Sequence, residues 1–106
     1  MTNEFAVVLS QDAVQDLADI WNFIALDNPV AADGVVAGLL RSLDLLSSTP
    51  KMGRPESRFG RQARLFVHGN YLVIYRIGGD EVEVSRIADG RRDLSKIKVT
   101  KPDAAR

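Results

Sequence analysis

Cysteine is absent from the 106 residues, which excludes a disulfide framework, a thiolate zinc site and a cysteine nucleophile. Histidine occurs once, at His68, so a Ser-His-Asp triad or a histidine-rich metal site would have to be built around that residue alone. Its place in a Val67-His68-Gly69-Asn70 turn favours an ordinary turn residue over a general acid or base. No metal and no cofactor are expected. Gly53-Arg54-Pro55 lacks the lysine and hydroxyl of a nucleotide-binding loop. Long apolar runs are missing too: Phe5 to Leu9 and Tyr71 to Tyr75 fall far short of the ~20 residues that a membrane span needs. Met1-Thr2-Asn3-Glu4 carries none of the positive charge that opens a signal peptide, so a cytoplasmic location without membrane contact is the expectation.

Net charge is also lacking, since 14 basic side chains balance 14 acidic ones and the pI is near 6.6. That balance conceals a division. Residues 1–50 hold seven acidic side chains and one basic, Arg41, whereas residues 51–106 hold thirteen basic and seven acidic. The halves thus carry −6 and +6, and the second is suited to a polyanion or an acidic protein surface. With 45% hydrophobic and 26% charged residues, the length suffices for one domain with one core. We expect a single domain over 1–106, with its core at about 5–94 and a charged, weakly periodic tail at 95–106 that stays mobile until bound.

Phe5 to Leu9 is short, apolar and β-branched, the pattern of a strand, and Ser10 follows as a helix N-cap with Asp12 in the first turn. Val14, Leu17, Ala18, Trp21 and Ile24 recur at helical spacing over about sixteen residues, with Asp16 and Asp19 on one exposed edge. Ile20 and Phe23 lie off that stripe and offer a second flank. Asn28-Pro29 caps and restarts a second helix, whose apolar face is Ala32, Val36, Leu39, Leu40, Leu43 and Leu46. Gly34 and Gly38, four apart on that helix, suit a close backbone approach. Ser47-Ser48-Thr49-Pro50 ends it, and Lys51 to Gln62 reads as loop. Three strands follow at Ala63 to Val67, Tyr71 to Ile77 and Glu81 to Ile87, the last two joined by a Gly78-Gly79-Asp80 turn. The order β-α-α-β-β-β predicts an α+β domain, with a helical hairpin packed on a small curved antiparallel sheet.

Paired carboxylates such as Glu81 and Glu83 give no specific catalytic signal, and the arginines stand out more. Guanidinium forks bind phosphate or carboxylate bidentately. Arg58, Arg61, Arg64 and Arg76 form one candidate anion-binding cluster in the loop and the first two hairpin strands. Arg86, Arg91 and Arg92 lie on the last strand and just beyond it.

Five segments, in order, resemble the ParE branch of the RelE/ParE toxin superfamily. They are Leu17-Ala18-Asp19-Ile20-Trp21, Asn28-Pro29 with Ala31-Ala32, Ser48-Thr49-Pro50-Lys51-Met52-Gly53-Arg54-Pro55, Tyr71-Leu72-Val73-Ile74-Tyr75-Arg76 and Val84-Ser85-Arg86-Ile87-Ala88-Asp89-Gly90-Arg91-Arg92-Asp93. The resemblance implies the toxin of a type II toxin-antitoxin pair that inhibits DNA gyrase and so blocks replication. It implies neutralisation by a ParD-like antitoxin, which pairs a ribbon-helix-helix DNA-binding domain with a disordered segment that wraps the toxin. A heterotetramer or larger complex follows, touching DNA through the antitoxin. Arg86, Arg91, Arg92, Lys96 and Lys98 are then the expected gyrase-binding residues, and Ile20, Trp21, Phe23, Ile24, Val36 and Leu40 the expected antitoxin-binding ones. The rival is a RelE-like ribosome-dependent mRNA endoribonuclease, which needs a proton-transfer group near the C-terminus. No tyrosine or histidine follows Arg86, and Asp89 stands where many relatives carry histidine, so a non-enzymatic inhibitor with no catalytic residues is expected.

Overall fold

The computed structural model describes residues 4–99. The chain opens with β1 (Ala6–Leu9) and a helical hairpin, α1 (Gln11–Ala25) and α2 (Pro29–Leu45). A two-residue strand β2 (Arg54–Pro55) and a 3-10 turn (Ser57–Phe59) follow, then the meander β3 (Ala63–His68), β4 (Tyr71–Gly78) and β5 (Glu81–Asp89), and a second 3-10 turn (Leu94–Lys96). The α+β class and the helical hairpin stand as expected. The stretch read as plain loop also contains β2, which extends the sheet to five strands.

Local chemistry sets both helix starts. The Ser10 hydroxyl accepts from the Ala13 amide at 3.0 Å and itself donates to the Ser85 carbonyl at 2.9 Å. It therefore caps α1 and ties it to β5. Asn28 accepts from the Ala31 amide at 3.0 Å, and Pro29 occupies the first helical position, where no donor is missed. Each cap is worth about 1 kcal/mol.

The sheet order is β1-β5-β4-β3-β2. It is mixed rather than wholly antiparallel: β1 runs parallel to β5, with Ala6 opposite Glu81 and Leu9 opposite Val84, while the other pairs are antiparallel. The helical hairpin and the β2–β4 run supply the long crossover that a parallel pair requires. Strand β5 carries a bulge, because Ile74 faces Arg86 and Tyr75 faces Val84, leaving Ser85 as the extra residue. The bulge lets Val82, Val84 and Ile87 all face the helices, although Val84 and Ile87 are three apart.

Two apolar layers result. Under the helices, Val73, Tyr75, Val82, Val84 and Ile87 pack against Ala13, Leu39, Leu43 and Leu46. On the opposite sheet face, Leu65, Leu72, Ile74 and Ala88 pack with Ile97, flanked by Phe59, Leu94 and Val99. Complete burial of such an aliphatic side chain is worth roughly 1.5–3 kcal/mol. The ordered core therefore continues past residue 94, since Ile97 is only 5% exposed. The start of the expected tail is part of the fold, and positions 100–106 lie outside the described residues.

Tyr75 is fully buried, and its hydroxyl donates to the Pro50 carbonyl at 2.7 Å and accepts from the Gly53 amide at 2.9 Å. These bonds seat the α2–β2 connection on the sheet. A Cβ at Gly53 would lie 2.7 Å from the Leu65 carbonyl oxygen and 2.9 Å from the Tyr75 hydroxyl, so only glycine fits there. Tyr75→Phe is expected to lower unfolding free energy by about 1–3 kcal/mol in urea titrations, because the buried Gly53 amide loses its acceptor.

Candidate functional site

Helix α1 lies over the end of β5, where β1 has stopped. Its inward face is Ala13 and Asp16 with the half-buried Leu17 and Ile20, rotated from the Val14–Trp21 stripe expected from spacing. Val14 is 54% exposed. Asp16, expected on an exposed edge, is buried. One of its oxygens accepts from the Ile87 amide at 2.8 Å and from Arg86 Nε at 2.8 Å, and the other accepts from Arg86 Nη2 at 2.9 Å. Arg86 Nη1 donates to the Lys98 carbonyl at 2.7 Å. The hydrogen bond to Asp16 is the main cause that raises the Arg86 pKa, against the opposing effect of burial. Arg86 is therefore a structural clamp, and its donors are not presented to a target.

The expected anion cluster divides as well. Arg64 pairs across the strands with Tyr75, on the helix side, while Arg76 lies on the other face and binds Glu83 at 3.2 Å. Arg58 meets Glu56 at 3.7 Å. Arg61 and Arg64 do line one cavity together, joined by Lys51, which the sequence reading left out.

Beyond Arg86 the chain turns outward. The Gly90 amide donates to the Asn70 carbonyl at 2.6 Å, and a Cβ on Gly90 would come within 3.0 Å of that oxygen. Glycine thus docks the 89–93 turn on the β3–β4 corner. Asp89 accepts from Arg91 Nε at 3.1 Å, Nη2 at 3.0 Å and the Arg91 amide at 2.9 Å, which orients a guanidinium whose side chain is 89% exposed. Arg92, Lys96 and Lys98 are exposed.

The six apolar residues singled out on the helices do not form one surface. Trp21 turns toward α2 and donates to Asp33 at 2.8 Å, on the side of α2 that carries Val36, half-buried, and Leu40, 46% exposed. Phe23, two positions on and so ~200° around the helix, is 76% exposed on the other flank. Ile24 is half-buried between them. Phe23 and Ile20 line a depression of about 250 Å³ with Tyr71, Asp19, Asp89 and Arg91. The structure thus joins residues read as antitoxin-facing to one read as target-facing. Leu26 and Val30, exposed by 84% and 80% at the tip of the hairpin, were missed because their spacing follows no apolar stripe.

His68 is the last residue of β3 rather than a turn residue. Its Nδ1 lies 2.6 Å from the Ser42 hydroxyl, and its ring rests on Gly38, where a Cβ would be 3.4 Å from Nε2. Gly34, by contrast, faces open space. Among the described residues no group of three or more histidine, aspartate or glutamate side chains is placed to hold a metal. No helix among them is long and apolar enough to cross a membrane.

The family model described as ParE toxin of type II toxin-antitoxin system, parDE, matches residues 7–94. The chain belongs to that family of ParE toxins. It is 28% identical over 90 residues to Toxin ParE3 of Caulobacter vibrioides, covering 84% of this chain and 90% of that one. A solved structure, the chromosomal ParDE TA system from P. aeruginosa, superposes with a TM-score of 0.71 at 18% identity, over 83% of this chain and 98% of that chain. That likeness shows the shared fold.

Two measurements test the geometry of this ParE-type toxin. Asp16→Ala leaves Arg86 and the Ile87 amide without their acceptor, and is expected to cost about 3–5 kcal/mol in urea unfolding; a loss under 1 kcal/mol would remove the clamp from the account. The Asp89 carboxyl is lowered from 3.8 to about 2, first by the side-chain hydrogen bond from Arg91 and then by the Arg91 amide. A depressed carboxylate stabilises the fold above its unfolded value and loses that contribution as pH falls through the folded one. The Asp89 carboxyl resonance is expected to titrate with a midpoint near 2, and Arg91→Ala is expected to move that midpoint upward toward 3.8.

Proposed function

We propose that this toxin inhibits DNA gyrase without catalysing a reaction, and that a ParD-like antitoxin silences it by covering the depression between α1 and the 89–93 turn. The observation that carries this reading is the convergence of Ile20, Phe23 and Tyr71 with Arg91 in that depression. An apolar anchor from the antitoxin, seated on Phe23, sits beside the guanidinium expected to meet the target. Arg91, Arg92, Lys96 and Lys98 form the target-facing set, with Arg86 holding their segment through Lys98. Trp21, Val36 and Leu40 extend the antitoxin's footprint along the helical hairpin. Pairing through the antitoxin's dimeric DNA-binding domain gives a heterotetramer or larger assembly, in the cytoplasm where gyrase works.

Absence of catalysis draws support from the residues themselves. The Tyr75 hydroxyl is occupied by Pro50 and Gly53, and the segment from Arg86 to Arg106 contains neither tyrosine nor histidine. The sheet face away from the helices is filled by Leu65, Leu72, Ile74, Ala88 and Ile97, and the cation on that side of β4, Arg76, is held by Glu83, so these strand side chains offer no free cationic cradle for a scissile phosphate.

The test is a gyrase supercoiling assay run beside in vitro translation, with and without antitoxin. Lost supercoiling with translation intact is the expected result, and cleaved mRNA with intact supercoiling would replace the reading with the endoribonuclease one. Arg91→Ala with Arg92→Ala is expected to abolish inhibition while a measurable antitoxin complex remains. Phe23→Glu is expected to weaken antitoxin binding about tenfold or more with inhibition retained; Phe23 suits this better than Ile20, which packs into the core.

A further inference from the structure

The cavity beside the edge strand β2 belongs to neither surface described above. It has a volume of about 410 Å³, opens to solvent, and is lined by Lys51, Arg61 and Arg64 with Ser57 and Gln62, over the apolar surface of Pro55, Ala63 and Ile77. No carboxylate lines it. Arg64 is fixed from within, because its Nε donates to the Gly53 carbonyl at 2.8 Å and its Nη2 to the Lys51 carbonyl at 3.3 Å. The same carbonyl contacts hold the Lys51 backbone beside it. Arg61 projects from a tight turn in which Gly60 has φ 117° and Gln62 has φ 67°, a left-handed conformation uncommon for glutamine. Among the described residues, neither the Lys51 nor the Arg61 side chain is engaged in an ion pair.

We infer that this cavity is a binding site for a backbone phosphate of duplex DNA, contacted directly by the toxin. Lys51 and Arg61, with no lining carboxylate to oppose them, match a phosphodiester oxygen pair, and Arg64, its Nε and Nη2 held by backbone carbonyls, adds fixed positive charge beside them. The surroundings favour a repeating anion over an isolated one: residues 51–64 hold five cations, Lys51, Arg54, Arg58, Arg61 and Arg64, against the single acid Glu56. Arg54 and Arg58 both reach Glu56 and remain 57% and 49% exposed, so they extend the cationic surface away from the cavity. Pro55, Ala63 and Ile77 offer an apolar floor to sugar carbons beside Ser57 and Gln62, and a direct comparison of DNA and RNA duplexes separates the two sources of phosphate. The inference goes beyond the gyrase reading and stands without it, since it concerns DNA contact by the toxin alone.

Fluorescence anisotropy of a labelled DNA duplex with the full-length toxin, free of antitoxin and gyrase, tests it. Saturable binding is expected at about 50 mM salt, weakening steeply toward 200 mM. Lys51→Gln with Arg61→Gln is expected to reduce affinity about tenfold and to flatten the slope of log affinity against log salt by about 0.9 for each cation removed. Arg64 is left in place because its bonds are structural, and an unchanged thermal midpoint would establish that the double variant is folded. Arg61→Lys with Lys51 intact is expected to recover most of the binding. Arg41→Gln, on the exposed surface of α2, is expected to change nothing. Absence of saturable binding by the unmodified toxin, an equal loss from Arg41→Gln, or tighter binding to an RNA duplex of the same sequence would each overturn the assignment. Supercoiling inhibition is read separately, so failure of the gyrase proposal leaves these outcomes interpretable.

Discussion

A single carboxylate does the work of a missing strand. Strand β1 covers β5 only as far as Val84, and beyond that point the edge of β5 would expose its amides under α1. Asp16 answers by accepting the Ile87 amide and, through both oxygens, the guanidinium of Arg86. Such charge-assisted, bidentate geometry is among the stronger polar contacts available to a protein. Arg86 then reaches the Lys98 carbonyl, which places Ile97 over the second sheet face. Helix, sheet edge and C-terminal segment are thus fastened at one point, and both apolar layers depend on it. The bulge at Ser85 belongs to the same arrangement, because it resets the alternation of β5 just before the residues that meet Asp16.

Over the described residues, the acidic first half and the basic second half of the sequence meet where Asp16 binds Arg86 and where Asp19 and Arg91 line one depression. Most acids of the first half lie on the helical hairpin. Many cations of the second half are held by nearby acids, as Arg76 is by Glu83 and Arg91 by Asp89. Among the described residues, what remains unpaired is concentrated in two places, the cavity by β2 and the segment after Asp89. Charge counted along the chain identified the basic half, but only pairing in the fold separates cations that hold the structure from cations that face outward.

Features governed by neighbours in sequence are legible in the sequence itself. Ser10 and Asn28 cap helices because a short polar side chain reaches amides three residues on, and the β3–β5 meander follows from apolar runs broken by Gly-rich turns. Parallel pairing of β1 was not legible, since β-branched residues favour strands of either direction. Nothing in helical spacing distinguishes Asp16 from Asp19; their fates differ because Arg86, 70 residues away, faces one of them. The seat of Ile97 did leave a trace, in the alternation of Ile97 and Val99 with Lys96 and Lys98. Of the candidate sites, the Arg61–Arg64 pair and the Phe23 flank could be anticipated from residue type and spacing. Their true neighbours, Lys51 and Arg91 respectively, come from loops whose paths only tertiary packing determines.

The parallel pairing of β1 with β5 also orders the folding reaction. The β3–β4–β5 meander and the helical hairpin are each built from near neighbours and close quickly, but Ser10 meets Ser85 across 75 residues. Closing so large a loop carries the largest entropic cost in the sheet. During synthesis the hairpin emerges well before its partner strand exists, with the apolar underside of α1 and α2 uncovered. The domain cannot close until the ribosome has passed the last strand, so the interval before the toxin is complete is set by the position of β5 in the chain.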